Sequence, residues 1–232
     1  MKHRTKKKRI KIGSTAKQRK RNKELCKRYP FLIPRNVWDD KIIWERHKSI
    51  KKYSYTLAED FPKGWWETFG LMMCEELREE LLKYHYLDKF RFVQIKEKFG
   101  GLRAYTNGVP RDSNIHNIIE KYSVLSENIC IQCGEPDVPM TNDGWYSPIC
   151  YDCFRKGYIR YRRRIARFNG EDPKLLTEDE IRSRYEEIVC DDEPRMANTR
   201  SWITFGDNGN ETHTVDISET AERIRKSSKI KY

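Results

Sequence analysis

Four cysteines carry the clearest chemistry in this chain: Cys130 with Cys133 and Cys150 with Cys153, two Cys-x-x-Cys pairs sixteen residues apart. Two residues between cysteines let one tight turn aim both sulfurs at a single ion, while the amides of the turn soften the thiolate charge. Sixteen residues suffice for a hairpin that brings the second pair back to the first. Gly134 gives the first turn a permissive residue, and Gly144-Trp145 falls in the connecting hairpin, with Trp145 as its lid rather than a base-stacking platform. The spacing predicts a structural Zn2+ site, with iron as the alternative ion. Four protein ligands leave no open position for a reacting water, which argues against a catalytic metal. A redox reading asks for one isolated Cys-x-x-Cys opening a helix in a thioredoxin-like context, which is absent. Cys26, Cys74 and Cys190 have no close partner; Cys74 lies in an apolar stretch and reads as a small buried side chain. His85 and His116 read as packing or surface residues, because the cysteine set is already complete.

The second feature is charge. The 232 residues carry a net +12, but residues 1–28 hold 14 Lys or Arg against the single acid Glu24, so the remainder is close to neutral. Such an arm has too few apolar residues to bury anything, its like charges repel, and it is expected to be mobile until it meets a polyanion. Lys6, Lys7, Lys8, Arg9, Lys11, Arg19, Lys20 and Arg21 are its candidate phosphate contacts. Beyond the cysteines, Arg155, Lys156, Arg160, Arg162, Arg163, Arg164 and Arg167 form a second basic patch. Tyr158, Tyr161 and Phe168 interleave with it and could stack on unpaired bases of RNA or single-stranded DNA. A solubilising arm, or one that docks on an acidic protein face such as residues 171–194 of this same chain, explains the same charges.

Catalytic motifs are missing: there is no nucleophile elbow, P-loop, dinucleotide fingerprint or metalloprotease helix. The best polar set is Lys96, Glu97, Lys98 and Arg103 around Gly100-Gly101, with Asp88 and Asp112 near in sequence. A nuclease would use Asp88 and Glu97 to hold magnesium and Lys96 or Lys98 to steady phosphate. A charged hairpin beside a turn is more simply solvent-facing. No apolar run approaches the roughly 20 residues of a membrane span, and no signal-peptide core follows the basic start. Paired cysteines in an odd total of seven suit a reducing compartment. A cytoplasmic location without membrane attachment is expected.

The elements that must position these residues follow from periodicity. "YPFLIPRNVWDD" reads as an extended segment anchored by Phe31, Leu32, Ile33 and Trp38. A helix starts near Asp60 and Pro62, with Trp65 or Trp66, Phe69, Met73, Leu77, Leu81 and Tyr84 on its apolar side and Glu75, Glu76, Glu79 and Glu80 on its outer surface. "FRFVQIKEKFGGLRAYTNG" reads as a hairpin turning at Gly100-Gly101, with Phe92, Gln94 and Lys96 on one side and Val93, Ile95 and Glu97 on the other. "YSYTLAED" is a candidate edge strand. A second helix from about Ser113, striped by Ile115, Ile118, Ile119, Tyr122 and Leu125, delivers the chain to Cys130. A short basic helix follows Cys153 and ends at Asn169-Gly170. Thr177 opens another helix with a capping-box pattern, running to about Val189. "SWITFGDNGNETHTVDI" reads as a hairpin with Asp207 to Asn210 as its turn. These elements predict an α+β fold: a small antiparallel sheet with helices on one face, joined to a four-cysteine zinc-knuckle or ribbon-like module. The expected divisions are a disordered arm over 1–28, the α+β domain with its zinc module over 29–168, and an acidic helix and hairpin extension over 169–232.

"VQIKEKFGGLRAY", the helix containing "IIEKYSVLSENICIQCGEP", and "GWYSPICYDC" together resemble a widespread set of bacterial and bacteriophage proteins that join an IKEKFGGLR-type hairpin to a four-cysteine module. "YPFLIPRNVW" resembles the opening of the phage members. The likeness spans about residues 29–154, and its motif residues here are Lys96 to Arg103, Cys130, Cys133, Gly144, Trp145, Cys150 and Cys153. It implies the domain and a bacterial or phage origin, and no established activity. The leading expectation is a zinc-stabilised, non-catalytic protein that contacts RNA, DNA or a ribonucleoprotein. The alternatives are an adaptor or inhibitor of a host protein complex, and the magnesium-dependent nuclease.

Overall fold

The computed structural model describes residues 14–171, 176–190, 199–206 and 209–228. The candidate contacts Lys6, Lys7, Lys8, Arg9 and Lys11 lie outside these residues, as does Asp207 of the expected turn.

Residues 16–28 correct the expectation of a mobile arm. Helix α1 (Ala16–Arg28) is capped by Thr15, whose side chain accepts from the Gln18 amide, and it buries Asn22 and Cys26. Its last residue makes a two-point ion pair with Glu75, Arg28 Nε and Nη2 standing 2.9 and 2.8 Å from the carboxylate. Tyr29 Oη donates to the same carboxylate at 2.8 Å. Arg19, Lys20 and Arg21 therefore sit on an ordered helix. Phe31 and Leu32, in a 3-10 turn (Pro30–Leu32), are fully buried, and Phe31 meets Phe90 and Phe92 edge-on at 5.6 Å. Trp38, expected as an anchor, is 93% exposed on a turn closed by the Asn36 side chain; one-residue hydrophobicity gave no information on that turn. A short α2 (Ile43–Arg46) follows.

Thr56 and Glu59 form a capping box around a 3-10 turn (Leu57–Asp60), so the expected edge strand at "YSYTLAED" is a cap instead. The main helix begins one residue after Pro62 as α3 (Lys63–Trp65), passes through a π turn (Trp66–Gly70) and continues as α4 (Leu71–Lys83). Trp65, Phe69, Met73, Leu77 and Leu81 recur every fourth residue and are fully buried, as the periodicity predicts. The strands β1 (Arg91–Lys98) and β2 (Gly101–Asn107) pair antiparallel from Arg91↔Asn107 to Lys98↔Gly101. Phe99 and Gly100, with φ of 53° and 79°, make the two-residue turn. The strict alternation expected along β1 fails at a bulge between Phe92 and Gln94, which puts Phe92 and Ile95 on the same buried side. Helix α5 (Ile115–Ser126) lies along β2 and packs on α4, with Tyr122 stacked on Phe69 at 5.3 Å.

The module that follows is a hairpin of β3 (Met140–Asn142) and β4 (Tyr146–Pro148), leading into α6 (Tyr151–Asn169). At 19 residues α6 is longer than expected, and Gly170 in the left-handed conformation closes it. Helix α7 (Glu178–Ile188) opens on the predicted Thr177–Glu180 capping box and seals Ile181 and Ile188 against Phe154. Strands β5 (Thr199–Gly206) and β6 (Gly209–Asp216) form the last hairpin, in which Asn210 is a strand residue paired with Phe205. Helix α8 (Ser218–Ser228) then returns to the start: Ile217, Ala221 and Ile224 belong to the same core as Phe31 and Trp65. The C-terminal residues are thus packed on the domain and its module, an α+β architecture with small two-stranded antiparallel sheets.

Candidate functional site

The first cysteine turn is built against the main helix. Gly64 N donates to Ile131 O at 3.0 Å, Trp65 Nε1 to Ile129 O at 2.8 Å, and Thr68 Oγ1 to Gly134 O at 3.1 Å. The approach is so close that a Cβ on Gly64 would stand 2.2 Å from Cys130 O, and one on Gly134 would meet Thr68 Oγ1 at 2.0 Å. Gly134 also needs a φ of 81°, which a side chain disfavours. The second turn is the start of α6: Cys150 is its N-cap and Cys153 lies in its first turn.

These turns bring the four predicted ligands together, with the sulfurs of Cys130, Cys133, Cys150 and Cys153 all within 4.8 Å of one another. Cys133 and Cys150 are 3.6 Å apart. Tetrahedral bonds of about 2.3 Å place thiolates roughly 3.8 Å from each other, so the set fits one ion. The Cys150 amide points at Cys130 Sγ from 3.4 Å. Hydrogen bonds from the Cys150 thiol and from backbone amides hold the Cys130 thiol well below its usual range. Its anionic sulfur in turn pushes Cys150 up, and burial followed by the Cys130 charge pushes Cys153 up. A divalent cation at the centre reverses that repulsion and allows all four to bind as thiolates. Cys130 and Cys153 are buried and Cys133 is exposed. Four sulfur ligands close the coordination shell, which suits an ion that shapes the chain rather than one that activates water.

The tip of the cysteine hairpin reaches the "IKEKFGG" turn. Trp145 Nε1 donates to Glu97 Oε2 at 3.0 Å, and the Trp145 and Phe99 rings stack at 6.2 Å. Glu97 Oε1 accepts from the Gly100 amide at 2.7 Å. This is the contact that sequence reasoning missed: Trp145, 56% exposed at the tip of its hairpin, clasps the Phe99–Gly100 turn. It also corrects the magnesium reading. Both Glu97 oxygens are engaged, and Asp88 precedes the opposite end of β1, about 20 Å of strand away.

Helix α6 divides its cations between two sides. Arg155 Nε is 2.7 Å from Glu178, and Arg162 shares a cleft with Asp179, Glu180 and Glu187 of α7. Lys156, Arg160, Arg163 and Arg167 recur at helical spacing on another side, with Arg164 beside them, and none has a carboxylate partner among the described residues. Tyr161 and Phe168 are exposed at 59% and 88%. Cys26 and Cys74 are buried, and burial lifts both thiols, Cys26 to about 12. His85 and His116 are exposed.

The chain is an α+β domain bearing a cluster of four cysteines that could hold one metal ion. Comparison with protein-family models, curated proteins and solved structures finds no match. Among the described residues, no helix is long and apolar enough to cross a membrane.

Proposed function

We propose that the chain is a zinc-stabilised, non-catalytic binding protein for nucleic acid or a ribonucleoprotein, with α6 as its phosphate-facing element. Zinc is the ion suited to four thiolates in tetrahedral array with no water position. The observation that supports nucleic-acid contact is the row Lys156, Arg160, Arg163 and Arg167, four cations free of carboxylate partners among the described residues, beside exposed Tyr161 and Phe168. Arg155 is excluded from that row because Glu178 already neutralises it. The cations of residues 1–13 add a second, sequence-indifferent attraction.

The four α6 contacts alone predict a slope of about −3 in log affinity against log salt on a single strand, or at least roughly 60-fold weaker binding between about 50 and about 200 mM, and the cations of residues 1–13 steepen it further. Fluorescence anisotropy with a mixed-sequence single strand measures it. The Arg160→Glu, Arg163→Glu, Arg167→Glu triple variant should lose at least about tenfold in affinity and flatten the slope. Unchanged binding by that variant, with its helix content intact, would overturn the assignment to α6. A protein adaptor is the second reading, favoured by Trp38, which presents an aromatic ring to solvent of the kind that anchors protein interfaces. Capture of one stoichiometric protein from nuclease-treated lysate, lost with Trp38→Ala, would favour it.

A further inference from the structure

Between the cysteine hairpin and α6 lies a cleft of about 220 Å3, lined by Gln132, Asp143, Ile149, Gly157, Tyr158 and Tyr161 among others. Gly157 stands in the interior of the 19-residue α6, where glycine weakens a helix relative to alanine. Nothing in the fold requires it. A Cβ there would meet no atom within 4 Å, and its backbone is not in the left-handed region. The missing side chain instead widens the cleft on its helix side. Arg160, Tyr161 and Arg164 follow Gly157 by three, four and seven residues, so a ring, flanked by two guanidinium groups, rises beside the gap. Neither arginine has a carboxylate partner among the described residues. Asp143 also lines the cleft, its Oδ1 held by Arg184 while Oδ2 has no partner among the described residues.

We infer that this cleft is a subsite for one unpaired nucleobase, seated over Gly157 and stacked on Tyr161, with its flanking phosphates on Arg160 and Arg164. The inference rests on the nucleic-acid reading above and adds the part of the ligand that α6 recognises besides charge. A planar ring with polar edges suits a lining that is aromatic and aliphatic with the polar Gln132 and Asp143 among it. Free phosphate or a purely electrostatic polyanion would have no use for the gap at Gly157.

The test uses the full chain with its metal and two single strands of equal length, one of oligo(dC) and one of abasic residues. The wild type should bind oligo(dC) about tenfold more tightly than the abasic strand, as expected for a stacked base. Gly157→Ala should raise the melting temperature yet bring oligo(dC) affinity down towards that of the abasic strand, whose own binding is unchanged. Tyr161→Ala, an exposed position, should act on oligo(dC) alone in the same way. Salt-dependent binding of both strands with no response to either substitution would overturn the subsite while leaving the phosphate contacts of α6 standing. Failure of the wild type to bind either strand would overturn both.

Discussion

Of the four glutamates Glu75, Glu76, Glu79 and Glu80, only Glu79 is left in solvent. Glu75 takes Arg28 and Tyr29; Glu76 takes Tyr122 at 2.8 Å and Lys121. Glu80, 5% exposed, accepts from the Asn114 amide at 2.8 Å and from Lys83 at 2.7 Å. The outer acidic surface expected of α4 is therefore a polar seam that ties α1 and α5 to it. The Asn114 amide, then Lys83, holds the Glu80 carboxyl below its usual range, and Arg28 does the same for Glu75. A carboxyl depressed in the folded state stabilises fully above its unfolded value and loses that contribution as pH falls through the folded value. Urea midpoints should thus fall on acidification below about pH 4.3, the unfolded glutamate value, and Glu80→Gln should flatten this limb. An unchanged limb would show that Glu80 contributes nothing to it.

At the scale of elements, the start of the main helix and the first cysteine turn act as one piece. Gly64, Trp65 and Thr68 all bond to the backbone of residues 129–134, and the space between them excludes even a methyl group. Gly64→Ala places its Cβ against Cys130 O, a backbone atom that cannot swing aside as a side chain could. The expected cost is about 1–3 kcal/mol, as for an overpacked core. Because the displaced residue is a ligand, metal affinity should fall with stability. Chelator competition checks this: a destabilised Gly64→Ala protein with wild-type metal affinity would show that helix and turn are not coupled.

Across the whole molecule, the chain closes on itself twice. Ile217, just before α8, joins Ala221 and Ile224 of α8 in the central core, and Arg225 pairs with Asp137, 2.7 Å away in the cysteine module. Just past α7, Cys190 N donates to Met140 O at 2.9 Å, beside a bridge between Val189 and Thr141. The module is thus held by the main helix on one side and by C-terminal residues on the other. Metal removal should lower the melting temperature of the entire domain in one transition, read by tryptophan fluorescence, to which buried Trp65 contributes, as well as by far-ultraviolet circular dichroism. Separate transitions at the two probes would mean that the module melts alone. Deleting residues 1–13 should leave this melt unchanged, whereas deleting 1–28 should lower it, because Cys26, Asn22 and the Arg28–Glu75 pair leave with α1.

Local rules were legible in the residues themselves. Cys-x-x-Cys spacing marks its own turn, four-residue recurrence from Trp65 to Leu81 marks its own buried stripe, and Thr177 with Glu180 caps its own helix, because each depends on atoms a few residues apart. Read alone, the residues yield the main helix, the β1–β2 hairpin, α5 to α7 and the four-cysteine cluster, whereas α1, α2, α8 and the cap at Thr56 become visible only through their packing. Which charges stay free is set by contacts between residues far apart in the chain. Arg28, Arg155 and Glu80 look like Arg160, Arg163 and Glu79 along the chain, but a partner 23 to 47 residues away neutralises the first two and a distant amide donates to the third. Trp145 met Glu97 for the same reason: long-range geometry, which no local period records, fixes the partner of a polar side chain.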